Sequence, residues 1–264
     1  MPDWSYRTLL RPALLGLGPE RAQRVAVRTL SILGSHPFGL ALIDFMGHMR
    51  VDPRLEVALN SVRTAGPVGL TGFIDPAGLA APALSRFGAA FVEVGPVAHG
   101  QRAAEPAYRI DRAAQTLRAG ACEGAVDADA LAARLGGGPA LRAPCWVRLA
   151  ADDPAACARA VHPLRAHAAA FIVDAADPDD AEDAIRARIA AIAEAAGRDG
   201  AARAVLLGVR ADHPRAVELG RAAVAAGAAG VFVRGETRDT QGQRLLGRAA
   251  LEAALTCVRA LRRG

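Results

Sequence analysis

From residue 67 onward, short apolar runs alternate with longer amphipathic ones, and this rhythm constrains the chain more than any other feature. The runs at 68–73, 90–94, 145–150, 169–173, 204–209 and 229–233 read as strands. They are β-branched or aliphatic, as in FVEV, WVRL, AFIV and GVFV. Helices are expected between and after them at 77–87, 127–135, 154–167, 179–196, 214–227 and 248–262. Pro154 and Pro178, each behind an aspartate, mark two of the helix starts. Strands and helices in strict alternation build a parallel sheet with right-handed crossovers. The rhythm supplies six such units, whereas a closed (β/α)₈ barrel needs eight. The expected fold class is therefore α/β, an incomplete TIM-type barrel of about six βα units. The gap exposes strand edges that must be covered or paired.

Before the rhythm begins, residues 4–16 and 19–33 read as two amphipathic helices. The first carries Trp4, Tyr6, Leu9, Leu10, Leu14 and Leu15 beside Arg7 and Arg11, a pattern suited either to a bilayer surface or to packing on the chain's own domain. Residues 34–53 read as a connector and 55–63 as a hairpin strand. This divides the chain into a helical pair (1–35), a connector with hairpin (36–66) and the barrel (67–264). The segment 96–126 is long for a loop and holds a further strand at 106–110. Long loops of this kind usually carry function.

Composition narrows the chemistry. A length of 264 residues with 52% hydrophobic content can bury a sizeable core, built largely of alanine-sized groups. The net charge of +5 comes from arginine alone, because the chain has no lysine. That excludes a Schiff base, a lysine general base and a P-loop lysine. The arginines are scattered through helices and not clustered with aromatics, so no nucleic-acid partner is expected. Cys122, Cys145, Cys157 and Cys257 form no metal-binding spacing and read as reduced, half-buried thiols of a cytoplasmic protein. The histidines show no ligand spacing, and no metal site is expected. No apolar run is long enough to span a bilayer, and the N-terminus lacks the pattern of a signal peptide.

Three stretches carry a family resemblance. YRTLLRPALLGLGPERAQRVAVRTLSIL looks like a two-helix extension with a D-P-E-R-A-H turn, here Gly18 to Gln23. PVGLTGFIDPAGLAAPALSRFGAAFVEVGPV (67–97) aligns without a gap to N-P-x-G-L-A-A-G-x-D-K-D-G followed by A-L-x-x-x-G-F-G-x-x-E-x-G-T-V. Gly69, Leu70, Asp75, Gly78, Ala83, Leu84, Gly88, Glu93, Gly95 and Val97 match. The end, LLGRAALEAALTCVRALRRG, is similar to L-S-G-R-P-L and its helix. In these stretches the chain resembles the membrane-associated, quinone-using dihydroorotate dehydrogenases.

The resemblance implies an α/β barrel holding FMN at its C-terminal face, with dihydroorotate oxidised to orotate and the electrons passed to quinone. It also implies peripheral membrane contact through residues 4–33, at the inner face of the cell membrane. The matching positions depart from the family's pattern. Its lysine after the aspartate is Pro76, and its threonine after E-x-G is Pro96, which has neither hydroxyl nor N–H. The substrate loop N-R-x-G-F-N-N falls at Leu117–Glu123 without an asparagine. The stretch with the catalytic serine falls at Val173–Pro178 without a hydroxyl, and the strand-five lysine falls near Val209. The T-N-T-T run reads Arg234-Gly235-Glu236-Thr237, and the seventh and eighth phosphate-cradling units are absent. What remains of a flavin site is Thr71, Gly72, Asp75 and Gly95.

The expectation is a degenerate, non-catalytic relative that binds no cofactor. It would serve as a partner subunit, scaffold or regulatory paralogue, as a homo-oligomer or with a partner protein pairing the open barrel edge. The alternative is an FMN-dependent oxidoreductase of dihydroorotate. Some residues near the strand ends read two ways. Asp174, Asp177, Asp179 and Asp180 could bind a cation or cap a helix. Glu93 could pair or catalyse, and Arg234 with Glu236 could hold an anion or each other. His99 is a loop histidine on the expected active face.

Overall fold

A computed structural model describes Thr8 and residues 16–47, 51–59, 62–100, 108–111, 113–119, 125–150, 153–175, 181–197 and 203–263. The centre is a six-stranded parallel sheet. Its main strands are β3 (Val92–Ala98), β7 (Cys145–Leu149), β8 (Ala170–Ala175), β9 (Ala204–Arg210) and β10 (Gly230–Arg234), adjacent in that order. The short β6 (Val126–Asp127) lies on the other side of β3. Among the described residues β10 pairs only β9, so the sheet does not close.

Helices follow the strands as the rhythm predicts: α4 (Ala128–Gly137), α5 (Pro154–Leu164), α6 (Glu182–Gly197), α7 (Ala216–Ala225) and α8 (Arg248–Arg263). Asp127 and Asp153 cap α4 and α5 by accepting from the Ala130 and Ala156 N–H groups at 2.9 and 2.8 Å. The Asp-Pro start expected at Pro178 lies outside the described residues, as does the helix at 4–16 apart from Thr8 and Gly16.

Four expectations need correction. The strand at 68–73 shrinks to one parallel bridge, Leu70 to Val92, because the chain turns at Thr71, whose carbonyl accepts from the Ile74 N–H. The helix at 77–87 is reduced to α3 (Ala81–Leu84), because Gly78 at φ +65° holds the preceding residues in a turn. Residues 34–53 contain a helix, α2 (Pro37–Gly47), as well as connector. Its run PFGLALIDFMG is apolar on nearly every side, so no periodicity betrays it. It follows α1 (Pro19–Gly34), the second of the two helices expected near the N-terminus. Cys145, Cys157 and Cys257 are buried rather than half-buried, and burial pushes the Cys145 thiol up to about 12; Cys122 lies outside the described residues.

Strand alternation puts two chemistries on the two faces of the sheet. On the outer face Val147, Phe171, Val173, Leu207 and Val209 pack under Leu131, Leu164, Ile189 and Leu219 of the helices. On the inner face, at the N-terminal ends of the strands, Phe91, Trp146, Ala170, Ile172, Ala204, Leu206 and Phe232 form an apolar layer. Phe91 stacks on Trp146 with ring centroids 3.7 Å apart, and Phe232 meets Trp146 edge-on. The layer also takes in Val62, on the hairpin of β1 (Val57–Leu59) and β2 (Val62–Thr64).

The C-terminal mouth carries a second sheet. β4 (Tyr108–Asp111), β5 (Thr116–Ala119), β11 (Glu236–Arg238) and β12 (Arg244–Gly247) form it in the antiparallel order β11-β12-β5-β4. Only the first of these strands was expected. The Arg118 guanidinium donates to Asp239 at 2.9 Å and ties the two contributing loops together. Asp212, just past β9, accepts from the Arg238 N–H at 2.9 Å and anchors this lid to the main sheet.

Phe171 is fully buried at the centre of the outer core. Phe171→Ala should lower unfolding stability by about 3–5 kcal/mol in urea denaturation.

Candidate functional site

The inner face changes character one step above the apolar layer. Period-two alternation that places Trp146, Ile172 and Phe232 inward also places Arg148, Asp174 and Arg234 inward. Glu93 on β3 follows Phe91, just before that strand, by the same rule, and Glu236 and Arg244 reach in from the lid strands β11 and β12. The layer therefore holds three carboxylates and three guanidiniums, all of them buried or nearly so.

They alternate in sign. The Arg148 Nε lies 3.6 Å from Glu93 Oε1 and 3.9 Å from Asp174 Oδ2. Arg234 donates to Asp174 Oδ2 at 2.8 Å and also pairs with Glu236. Arg244 holds Glu236 Oε2 through its Nε at 2.8 Å and its Nη2 at 2.6 Å. The Phe73 ring closes the series, 4.4 Å from the Arg244 guanidinium carbon and 5.9 Å from that of Arg148. Glycines make the space. A Cβ on Gly208 would lie 2.4 Å from Asp174 Oδ1, and one on Gly72 3.5 Å from Glu93 Oε1.

Burial and pairing pull the carboxyl groups in opposite directions. Burial raises the Glu93 carboxyl above its ordinary range, and Arg148 only partly opposes it. Burial also works against ionised Glu236, but Arg234 and Arg244 more than offset it and hold that carboxyl below its ordinary range. Burial likewise opposes the charge on Arg234, and Asp174 and Glu236 override it and raise that group.

The predicted flavin remnants separate. Gly72 and Gly95 come together, with a Cβ on Gly72 falling 3.0 Å from the Gly95 carbonyl, and the Gly72 N–H donates to Glu93. Gly95 has φ +109°, and a Cβ there would lie 2.4 Å from the Arg148 carbonyl, so only glycine fits. Asp75 points away from the layer: its carboxylate accepts from the Leu79 and Ala80 N–H groups at 3.0 and 2.6 Å and shapes the turn. Thr71 is exposed. From α1, Gln23 clamps the same turn by donating to the Phe73 and Ile74 carbonyls.

Several of the residues with two readings are found in ion pairs. Glu93 pairs with Arg148, and Arg234 with Glu236. Asp174 pairs with Arg234, while Asp177, Asp179 and Asp180 lie outside the described residues. His99 sits 3.3 Å from Asp129, and with Asp127 the three could present one ligand atom each within 4.8 Å of one another. Both Asp127 oxygens already accept backbone N–H groups, from Gly100 and Ala130. Sequence reasoning missed Arg148, Arg244 and Phe73. The available signal for Arg148 was a charge in the middle of the apolar run CWVRL, two residues from an inward tryptophan.

Removing Arg244 should leave the buried Glu236 carboxylate with Arg234 alone, which Asp174 also shares. Arg244→Ala is expected to cost about 3–5 kcal/mol, and Arg244→Met combined with Glu236→Gln to recover much of it, both read by urea denaturation. The two shifted carboxyls also fix opposite pH slopes. Glu236 stabilises the fold above its unfolded value, and this is lost as pH falls through its lowered folded value. Glu93 favours the fold below its unfolded value, and this is lost as pH rises through its raised folded value. Glu93→Gln should therefore remove the loss seen on raising pH through and above the ordinary carboxyl range, in unfolding midpoints compared from pH 4 to pH 8.

No family model matches the chain. The quinone-dependent dihydroorotate dehydrogenase of Rhodospirillum rubrum is 41% identical over 117 residues, covering 44% of this chain and 28% of that enzyme. The corresponding enzyme of Acidithiobacillus ferrooxidans is 37% identical over 106 residues, covering 39% and 28%. The chain thus matches less than a third of the length of these curated relatives. Two solved structures of the dihydroorotate dehydrogenase of Eimeria tenella share the fold. The ferulenol complex superposes with a TM-score of 0.73 at 18% identity, covering 95% of this chain and 79% of that one. The ligand-free form gives 0.64 at 15%, covering 84% and 79%. Over less than half of its length the chain is similar in sequence to quinone-dependent dihydroorotate dehydrogenases, and over nearly all of it the chain shares the fold of a dihydroorotate dehydrogenase.

Proposed function

We propose that this dihydroorotate dehydrogenase-like chain does not catalyse the reaction of its relatives in pyrimidine biosynthesis and acts through its surface, as a partner subunit, scaffold or regulatory paralogue. The single observation that carries this reading is the self-paired charged layer at the barrel mouth.

The mouth of an α/β barrel is where a ligand would sit, and the residues there do not suit FMN. A flavin phosphate needs free N–H donors. Here Arg234 Nη1 donates to Asp174, Arg244 Nε donates to Glu236, Arg148 lies between Glu93 and Asp174, and the Gly72 N–H meets Glu93; Arg148 Nε, Arg234 Nε and Arg244 Nη2 are buried without a hydrogen bond, but each guanidinium is charge-paired. A phosphate that took over these guanidiniums would leave three buried carboxylates without partners, at several kcal/mol each. Among the six side chains of the layer there is no hydroxyl, thiol, imidazole or amine to remove a proton from carbon, and each carboxylate already faces at least one guanidinium.

Purified protein should be colourless and fail to restore growth of a pyrimidine auxotroph lacking dihydroorotate dehydrogenase. A yellow preparation with one flavin per chain, or full complementation, would establish the alternative, FMN-dependent oxidation of dihydroorotate.

A second reading concerns location. Among the described residues no helix is long and apolar enough to cross a membrane. Yet α1 and α2 expose Val25, Ile32, Leu42, Phe38 and Phe45, the two phenylalanines at 82% and 73%. Apolar groups this exposed suit peripheral contact with a bilayer surface. Full-length protein should then co-sediment with phospholipid vesicles, and Phe38→Ser with Phe45→Ser should release most of it; no sedimentation of the full chain would remove this reading.

A further inference from the structure

The charged layer sits toward the C-terminal ends of the strands, and the opposite end of the same sheet carries a cavity of about 670 Å³. The segments that enter the strands line it: residues 140–145 leading into β7, 165–169 leading into β8, and Arg203 just ahead of β9. The end of α4 closes one side through Leu135 and Gly136. The volume is that of a small-molecule site. The cavity shares no residue with the charged layer.

Its charge is of one sign. Arg142, Arg165, Arg203 and His167 line it, and among the described residues that line it there is no carboxylate. The rest of the lining is glycine, alanine, leucine, proline and Cys145. Arg142 shares Asp44 of α2 with Arg86, which puts two cations on one carboxylate. Arg203 donates to the Ala196 carbonyl in the last turn of α6 at 2.5 Å, an uncharged partner. The Arg165 side chain makes no hydrogen bond or ion pair with any described residue. The His167 ring lies against Gly136, where a Cβ would come within 3.2 Å of its Cε1. Both α4 and α5 end beside the cavity, and each helix C-terminus is worth roughly half a negative charge. Three guanidiniums outweigh two such ends. Positive charge therefore remains in excess around an open cavity, and like charges gathered in this way repel one another until an anion joins them.

We propose that this cavity binds a small molecule carrying a phosphate group, with the guanidiniums on the phosphate and the apolar lining against the rest of the ligand. Phosphate suits the donors, because a guanidinium is planar, stays charged and bonds phosphate oxygens in pairs. A water molecule takes up about 30 Å³, so the cavity has room for a phosphate and a good deal more. Leu135 and Leu141 give an organic group its apolar surface. The site stands apart from the barrel mouth, so it does not depend on whether the mouth is catalytic.

Phenyl phosphate and inorganic phosphate are the probes, titrated calorimetrically into the full chain at constant ionic strength. Phenyl phosphate should bind once per chain and raise the thermal midpoint. Inorganic phosphate should bind the same site about tenfold more weakly, because it forgoes the apolar contact. Arg165→Gln and Arg142→Gln should each weaken phenyl phosphate about tenfold or more. Arg109→Gln, which removes the same charge from β4 in the lid, should leave binding unchanged. Arg165→Gln breaks no side-chain contact among the described residues, so its urea midpoint should match that of the parent chain. No saturable binding of either probe at millimolar concentration would overturn the proposal. So would an equal loss in all three variants, which marks a diffuse effect of net charge. Equal affinity for the two probes would overturn the organic ligand and leave free phosphate as the occupant.

Discussion

Six ionised side chains inside a barrel have little water to solvate them, so each must be neutralised by its neighbours. That requirement organises the upper half of this molecule. Glu93, Arg148 and Asp174 come from three adjacent parallel strands, Arg234 from a fourth, and Glu236 and Arg244 from the lid. The layer assembles only if strand register, lid register and barrel curvature all agree. Losing one partner strands a charge, while replacing a whole pair with apolar groups need not destabilise at all. The network therefore adds specificity for this one arrangement more than it adds stability. It also explains why the lid is ordered against the mouth, since Glu236 and Arg244 cannot be buried unless β11 and β12 are seated.

The turn at residues 71–80 joins this layer to the rest of the chain. Phe73 lies against Arg244 and Arg148, while the carbonyls of Phe73 and Ile74 receive Gln23 from α1. Asp75 holds the other end of the turn through the Leu79 and Ala80 N–H groups, at the cost of a buried carboxylate whose proton affinity is raised. The N-terminal helix thus reaches the charged layer through one turn. Asp44 on α2 adds a second tie, to Arg86 after α3 and Arg142 before β7.

The parallel sheet was legible because its strands are apolar on both faces and its helices carry capped starts, as at Asp153-Pro154. The lid strands β5, β11 and β12 were not, because three or four residues such as Glu236–Arg238 are too few to show alternation. The helix α2 hid behind its uniform hydrophobicity. At the site, Glu93, Asp174, Arg234 and Glu236 were each visible as charges near strand ends. Their joining into one layer was not, because it depends on which strands become neighbours and on where a lid strand folds back. Arg244 lies ten residues beyond Arg234 in sequence, and nothing local says that both meet the same glutamate.

The glycines carry the comparison with the dehydrogenases one step further. Gly72 and Gly95 retain tight backbone approaches, and Gly95 cannot gain a Cβ without striking the Arg148 carbonyl. Close approaches of this kind can serve a bound ligand or a packed side chain equally well. Here the space beside Gly72 holds the Glu93 carboxylate, and the space over Gly208 holds that of Asp174. Small residues that in a binding barrel would admit a ligand admit the chain's own carboxylates. A mouth occupied by paired charges can still fold as a barrel, because the fold asks only that the interior be filled and every buried charge be answered. In the charged layer the answer to each of the three carboxylates comes from Arg148, Arg234 or Arg244.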